Sequence, residues 1–326
     1  MIKIITRQQQ HRTIILALLL MVTATSAAAE TIRFGMITTP DHAWSRLMQQ
    51  FKNTVESSSG NTIRVRESRF AKVRGESSII ELLGRGQLQA AIVAVGSLTT
   101  LDPALNGWLM PYQFADTGQL RRAAQRDDAK TMLVGLERHN LVALGYAFSG
   151  MRVIMSPAAM ASVQDLKGKK VGTFPNDVFY NWYRQLGADP QPIQIQDIRL
   201  WFEQEKIDAI DIDLATAVDL QLSTQAPNLM YTRHMAFPGV FVVSRSWWDA
   251  LTPEQQQVIS AAFTQAEQAT FAGLEKAEQA DLKQLRGEGV SVKTYTEADF
   301  NSVPQKLRDF YYGTNERLKR FGMDQP

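Results

Sequence analysis

The stretch Asp165-Leu-Lys-Gly-Lys-Lys-Val-Gly-Thr-Phe-Pro175, continuing through Leu186-Gly-Ala-Asp-Pro190 to Lys206-Ile-Asp208, decides how this chain is read. Residues 170–173 have the β-rich composition of a strand and 178–186 the apolar spacing of a helix. A strand at 191–195, a helix at 198–205, a strand at 209–212 and a helix at 215–222 follow. Alternation at this spacing predicts an α/β fold. The same alternation runs upstream, with strands at 31–36, 63–66 and 90–94 separated by helices at 44–55 and 76–83. Two such units in succession predict two lobes, and the lack of a low-complexity linker predicts that hinge segments join them.

The strongest single element starts at Thr252-Pro253-Glu254-Gln255. Thr252 can cap, proline suits the first helical position, and Gln255 completes a capping box. Ile259, Phe263, Ala266, Leu274, Leu282 and Leu285 then fall near one stripe. At 1.5 Å per residue the helix would run roughly 50 Å, longer than one small domain, so it is expected to brace both lobes.

Residues 1–29 read as a secretory signal peptide: Lys3, Arg7 and Arg12 precede an apolar run at 14–22, and Ala27-Ala28-Ala29 offers a cleavage site. Without them 32 Lys plus Arg face 33 acidic residues, a balance that gives no support for nucleic-acid binding. The chain has no cysteine, which excludes disulfide stapling, thiol catalysis and cysteine metal sites.

No catalytic constellation stands out. His42, His139 and His234 are far apart, and neither H-E-x-x-H nor G-x-S-x-G occurs. The Gly84-Arg-Gly86 pair precedes a strand and reads as a turn rather than a phosphate loop. Asp208, Asp211, Asp213 and Asp219 crowd a strand end; Asp213 reads as a helix cap, Asp219 as solvated, Asp208 as a turn residue and Asp211 as the candidate for a cleft. The cluster Phe174, Phe179, Tyr180, Trp182 and Tyr183 follows a strand at the place where open α/β sheets bind ligands. Phe174, nearest the strand end, is the first candidate wall.

The Asp165 to Asp208 stretch resembles the solute-binding proteins of TRAP transporters, DctP type, whose pattern there is D-L-K-G-x-K-[IV]-R-V-P, L-G-A-x-P and V-D-G. Leu109-Met-Pro111-Tyr-Gln-Phe114, Trp248 and Leu251-Thr-Pro253-Glu-Gln255 resemble other family segments. The resemblance implies a two-lobed periplasmic binding protein fold and no enzyme activity. It further implies capture of a small solute, an organic acid in the first instance, for delivery to membrane-embedded TRAP permease subunits, with neither cofactor nor metal. The expected first lobe is 30–149 plus 238–277 and the second 150–237 plus 278–326.

Carried over residue by residue, Arg152 takes the place of the family's first arginine and Gly172 that of the second, which grips a carboxylate. Asp211 and Ile212 correspond to the acidic and asparagine positions after V-D-G, and Arg199 to a helix tyrosine. Arg152, Gly172, Phe174, Arg199, Asp211 and Ile212 are therefore the expected ligand-binding residues. Loss of a bidentate guanidinium at 172 leaves three readings open. Arg199 replaces it, or the solute is neutral or cationic and faces Asp211, or the cleft no longer serves transport and the protein is a periplasmic sensor or an assembly factor. For Arg152 the alternative is an inter-lobe ion pair, for Arg199 a solvated helix face. A hydrolase or isomerase pairing His42 with Asp211 is the enzymatic rival.

Overall fold

The computed structural model describes residues 30–68 and 75–323. The expected signal peptide lies outside the described residues. Among those residues no helix is long and apolar enough to cross a membrane.

Two sheets form the frame. The first contains β1 (Glu30–Gly35), β2 (Ile63–Glu67), β3 (Ala90–Ala94), β4 (Leu141–Met151) and a later strand, β10 (Ala236–Ser244). The second contains β5 (Val153–Ser156), β6 (Lys170–Thr173), β7 (Asp189–Pro192), β8 (Ala209–Ile212), β9 (Asn228–Tyr231) and β11 (Ser291–Thr294). Their orders are β2-β1-β3-β10-β4 and β11-β9-β5-β8-β6-β7. β1 pairs in parallel with β2 and β3, and β6 with β7 and β8, as strands linked by crossover helices do. The two lobes of the α/β expectation are these two sheets with their helices.

Each sheet buries its apolar side chains because the helices beside it present one apolar face. The helix Ala43–Ser58 turns Trp44, Leu47, Met48, Phe51 and Val55 inward, against Phe34 and Phe241 of the first sheet. In the second lobe Ile193, Ile198, Phe202, Ile207, Ile210 and Leu229 form a separate apolar core, mostly aliphatic. Of the aromatic cluster, Phe179, Trp182 and Tyr183 are fully buried in the helix Asp177–Gln185 and serve packing.

The chain crosses between the sheets at Arg152 and again at 232–235. The crossings are bonded to each other: the Arg152 amide donates to the Met235 carbonyl at 2.7 Å, and the His234 amide donates to the Arg152 carbonyl at 3.2 Å. A third connection is the helix Pro253–Gly287, 35 residues long, which begins with the Thr252–Gln255 capping box. Ile259, Phe263 and Leu274 enter the first core, while Leu282 and Leu285 pack with the second. One rigid rod thus touches both lobes.

The C-terminal segment departs from the expected division. The helix Val303–Thr314 lies against the helix Asp177–Gln185, with the Asn181 amide donating to the Tyr311 hydroxyl at 2.9 Å. The last helix, Glu316–Met323, returns to the first lobe, where Phe321 meets the Trp108 ring at a centroid distance of 4.6 Å. Its apolar residues Leu318 and Phe321 find a complementary surface there, over Gly107. Assignment of all of 278–326 to the second lobe is therefore corrected for this helix.

Candidate functional site

The crossing segments bring a buried polar network to the hinge. Asp211 sits on β8, whose alternation points its carboxylate away from the Ile210 and Ile212 face. Arg152 Nε donates to Asp211 Oδ1 at 2.5 Å, and a second guanidinium nitrogen donates to the Asp211 carbonyl oxygen. Thr173 and Tyr183 donate hydroxyl hydrogens to Asp211 Oδ2 at 3.2 and 3.0 Å. His234 Nε2 lies 3.5 Å from the same oxygen, with its ring stacked on Trp182. Burial by itself would raise the Asp211 carboxyl, but the Arg152 guanidinium and His234 outweigh it and hold the group at about 2. The Tyr183 hydroxyl is pushed well up by burial and by the charge of Asp211.

Beside this network is a small cavity, with about 40 Å³ of free space, closed by both lobes. Two helix caps face each other across it. His42 caps the helix Ala43–Ser58 of the first lobe, its Nδ1 accepting from the Trp44 amide at 3.2 Å. Asp213 caps the helix Leu214–Asp219 of the second, accepting from the Thr216 amide at 2.9 Å and from the Thr216 hydroxyl at 3.0 Å. His42 Nε2 and Asp213 Oδ1 are 3.8 Å apart, and Arg152 Nη1 is 3.6 Å from Asp213 Oδ2. Burial lowers His42 to about 4 despite the attraction of Asp213, so its imidazole is neutral at pH 7. Trp44, Phe237 and Phe174 form one apolar wall, and Ile193, Ile195, Ile198, Ile210 and Ile212 another.

Four of the six expected residues line this cavity: Arg152, Phe174, Asp211 and Ile212. Gly172 does not. A Cβ on it would point at Ile210, Ile207 and Ile193, at 2.9 to 3.4 Å, so the position faces the aliphatic core of the second lobe. Isoleucines occupy the space a long guanidinium would need. Arg199 is exposed, and its Nη1 donates to the Leu220 carbonyl at 3.3 Å. Its helix, Ile198–Glu203, turns Ile198 rather than Arg199 inward, so the expectation that Arg199 replaces the missing arginine is corrected. Asp219 is not simply solvated either, because Thr39 of the first lobe donates a hydroxyl hydrogen to it.

Sequence reasoning named His42 only as the partner of Asp211 in the enzymatic rival, and it missed Trp44 and Phe237 as cleft residues and the second role of Asp213. Asp213 was visible as a helix cap; that it opposes a second cap, at His42, was not. It also missed Asn176, whose side-chain amide donates to the Gly96 carbonyl and the Thr99 hydroxyl, both at 3.1 Å, tying the second lobe to the first. Among the described residues no group of three or more His, Asp or Glu could hold a metal ion.

A larger hollow, about 590 Å³, lies on the second lobe alone, near Asp165, Lys169 and Asp208. These residues precede or flank the amino ends of β6 and β8, the end of the sheet opposite Asp211 and Asp213. The inter-lobe cavity is therefore the candidate site, since both lobes contribute to it and it opens at the carboxyl ends of the strands.

Solved structures share this architecture. A TRAP periplasmic solute-binding protein from Haemophilus influenzae with bound L-gulonate superposes with a TM-score of 0.84 at 22% identity, covering 90% of this chain and 98% of its own. One from Sulfitobacter sp. with bound β-D-galacturonate gives 0.83 at 21%, with 90% and 98% covered. The sialic acid-binding periplasmic protein SiaP of Vibrio cholerae is 23% identical over 282 residues, which is 86% of this chain and 88% of that protein. The model of the DctP family, described as bacterial extracellular solute-binding protein, family 7, matches residues 34–316. That match takes in both lobes, both crossings and the bracing helix, and the chain belongs to this family of TRAP solute-binding proteins rather than to any family of enzymes.

Proposed function

We propose that the chain is the periplasmic solute-binding subunit of a TRAP-type transporter, which captures a small organic acid between its lobes and delivers it to membrane-embedded permease subunits. The observation that carries this reading is a cavity lined from both lobes, with Arg152 as the one arginine or lysine lining it among the described residues. A solute held there favours the closed form because only then do both lobes touch it. The acids bound by the relatives, L-gulonate, β-D-galacturonate and sialic acid, support an acidic solute. A neutral or cationic solute is the second reading, favoured by the prior pairing of Arg152 with Asp211 and Asp213.

The test is thermal unfolding of the solute-stripped mature chain against a panel of organic acids, sugars, amines and osmolytes. A bound solute at 100 times its Kd stabilises by about 2.7 kcal/mol. That raises Tm by several degrees for a chain of this size. No shift with any member would argue against solute capture.

A further inference from the structure

We propose that the solute is a small acid with a hydrocarbon body rather than a polyhydroxylated one, selected by the apolar walls of the cavity. The inference rests on the cavity as the site of acid capture and names the kind of acid. Six isoleucines line the cavity, together with Trp44, Phe174 and Phe237. The first lobe brings Ile37, Trp44 and Phe237 and the second brings the others, so closure lays hydrocarbon on the solute from both sides.

The polar lining is gathered in one cluster, most of it spent within the protein. Arg152 Nε and a second nitrogen donate to Asp211, both oxygens of Asp213 accept from Thr216, and Thr38 bonds to Ser45 at 3.0 Å in its own lobe. His42 Nε2 and Arg152 Nη1 stand 3.8 and 3.6 Å from Asp213. Nη1 is the nitrogen that can turn to the carboxylate of an acid, and the body of the acid then lies against the apolar walls.

Those walls are incompletely covered. Ile37, Phe174 and Ile195 stay only partly buried, although Asn176 already bonds across to the Gly96 turn. Apolar surface is therefore left for the solute to cover, and covering it favours closure. Where the resemblance places a second guanidinium, Ile193 and Ile210 stand between Gly172 and the cavity. Hydroxyl groups pressed on these side chains would lose water and gain no partner from them. The free space, about 40 Å³, is well below the roughly 150 Å³ of a protein cavity that takes up benzene, so the body is a short chain rather than a ring.

Pairs of acids in which methyl replaces hydroxyl test this on the solute-stripped mature chain, by calorimetry and thermal unfolding at millimolar concentration. Isobutyrate is compared with lactate, 3-methylbutyrate with 3-hydroxybutyrate, and 2-methylbutyrate with glycerate, the chiral acids as racemates. L-Gulonate serves as the polyhydroxylated acid. The methyl member of at least one pair is expected to bind about tenfold or more tighter than its partner and than L-gulonate. Its binding should carry a negative heat-capacity change. Ile37→Asn and Ile195→Asn change one partly buried wall residue in each lobe. At least one of them is expected to narrow the preference by about threefold or more while leaving the unliganded Tm within a few degrees. A smaller preference, its reversal, or an unchanged preference in both variants overturns the inference while acid capture stands. Binding by none of the seven acids also overturns it, and the wider panel above then decides acid capture.

Discussion

At the scale of single residues, the pairing of Arg152 with Asp211 shows how a residue expected to grip the ligand can act first on the fold. Both groups are buried, so removing one leaves the other charged and unpaired. Arg152→Ala is expected to cost about 3 to 5 kcal/mol of stability, measurable as a lower urea midpoint in the absence of solute. An unchanged midpoint would mean that Arg152 is free to serve the solute alone. The same network sets the acid limb of stability. Asp211 is held at about 2, below the 3.8 of the unfolded chain. Its contribution, about 2 kcal/mol, is fully present above the unfolded value and lost as pH falls through 4 to 2. Asp211→Asn should lose that step in a series of urea midpoints against pH. Glu267 has the opposite sign: burial raises it to about 7, so its favourable term is present below its ordinary value and lost as pH rises through 7. Glu267→Gln should flatten stability between pH 5 and 7. The aspartates and arginine were legible as candidates, but their division between solute and structure was not, because that depends on which charges burial brings within 4 Å.

At the scale of elements, the bracing helix was the most legible part of the chain, since capping box, proline and apolar stripe are all local signals. Its stability should respond to local chemistry in the same way. Thr252→Ala removes the cap to the Gln255 amide and is expected to cost about 1 kcal/mol. Gly273 is exposed and lies in the helix interior, and a methyl group added there would meet nothing within 4 Å. Gly273→Ala is therefore expected to stabilise by about 1 kcal/mol. Denaturant titrations of the two variants check both signs. The last helix, Glu316–Met323, was misplaced for the converse reason. Leu318 and Phe321 give it an apolar face, but no local signal says which lobe supplies Trp108 to cover that face.

At the scale of the whole molecule, closure depends on a few contacts between lobes. Phe174 of the second lobe packs so near Gly96 of the first that a Cβ there would lie 2.8 Å from its ring, and Asn176 bonds to the same turn. Gly96→Leu is therefore expected to hold the lobes apart. Small-angle scattering should give a larger radius of gyration than for the parent chain, and solute should no longer raise Tm. A variant as compact as the parent and equally stabilised by solute would show that this contact does not govern closure.

Strand and helix alternation, the capped rod and the Asp165 to Asp208 frame determined the two-lobed fold from sequence alone, because each is written in the spacing of neighbouring residues. Phe174 and Asp211 were within reach of the same reading, since each sits at or beside a strand end, while Arg152 and Ile212 were reached only through the resemblance to the TRAP binding proteins. Only the tertiary structure decided that His42 faces Asp213 and that isoleucines fill the space at Gly172. It alone left Arg199 outside, and it alone brought Arg152 between Asp211 and Asp213. Those are properties of distance and burial between segments far apart in the chain. Charge balance in a closed cavity is set by which groups share it, and residue order does not record that.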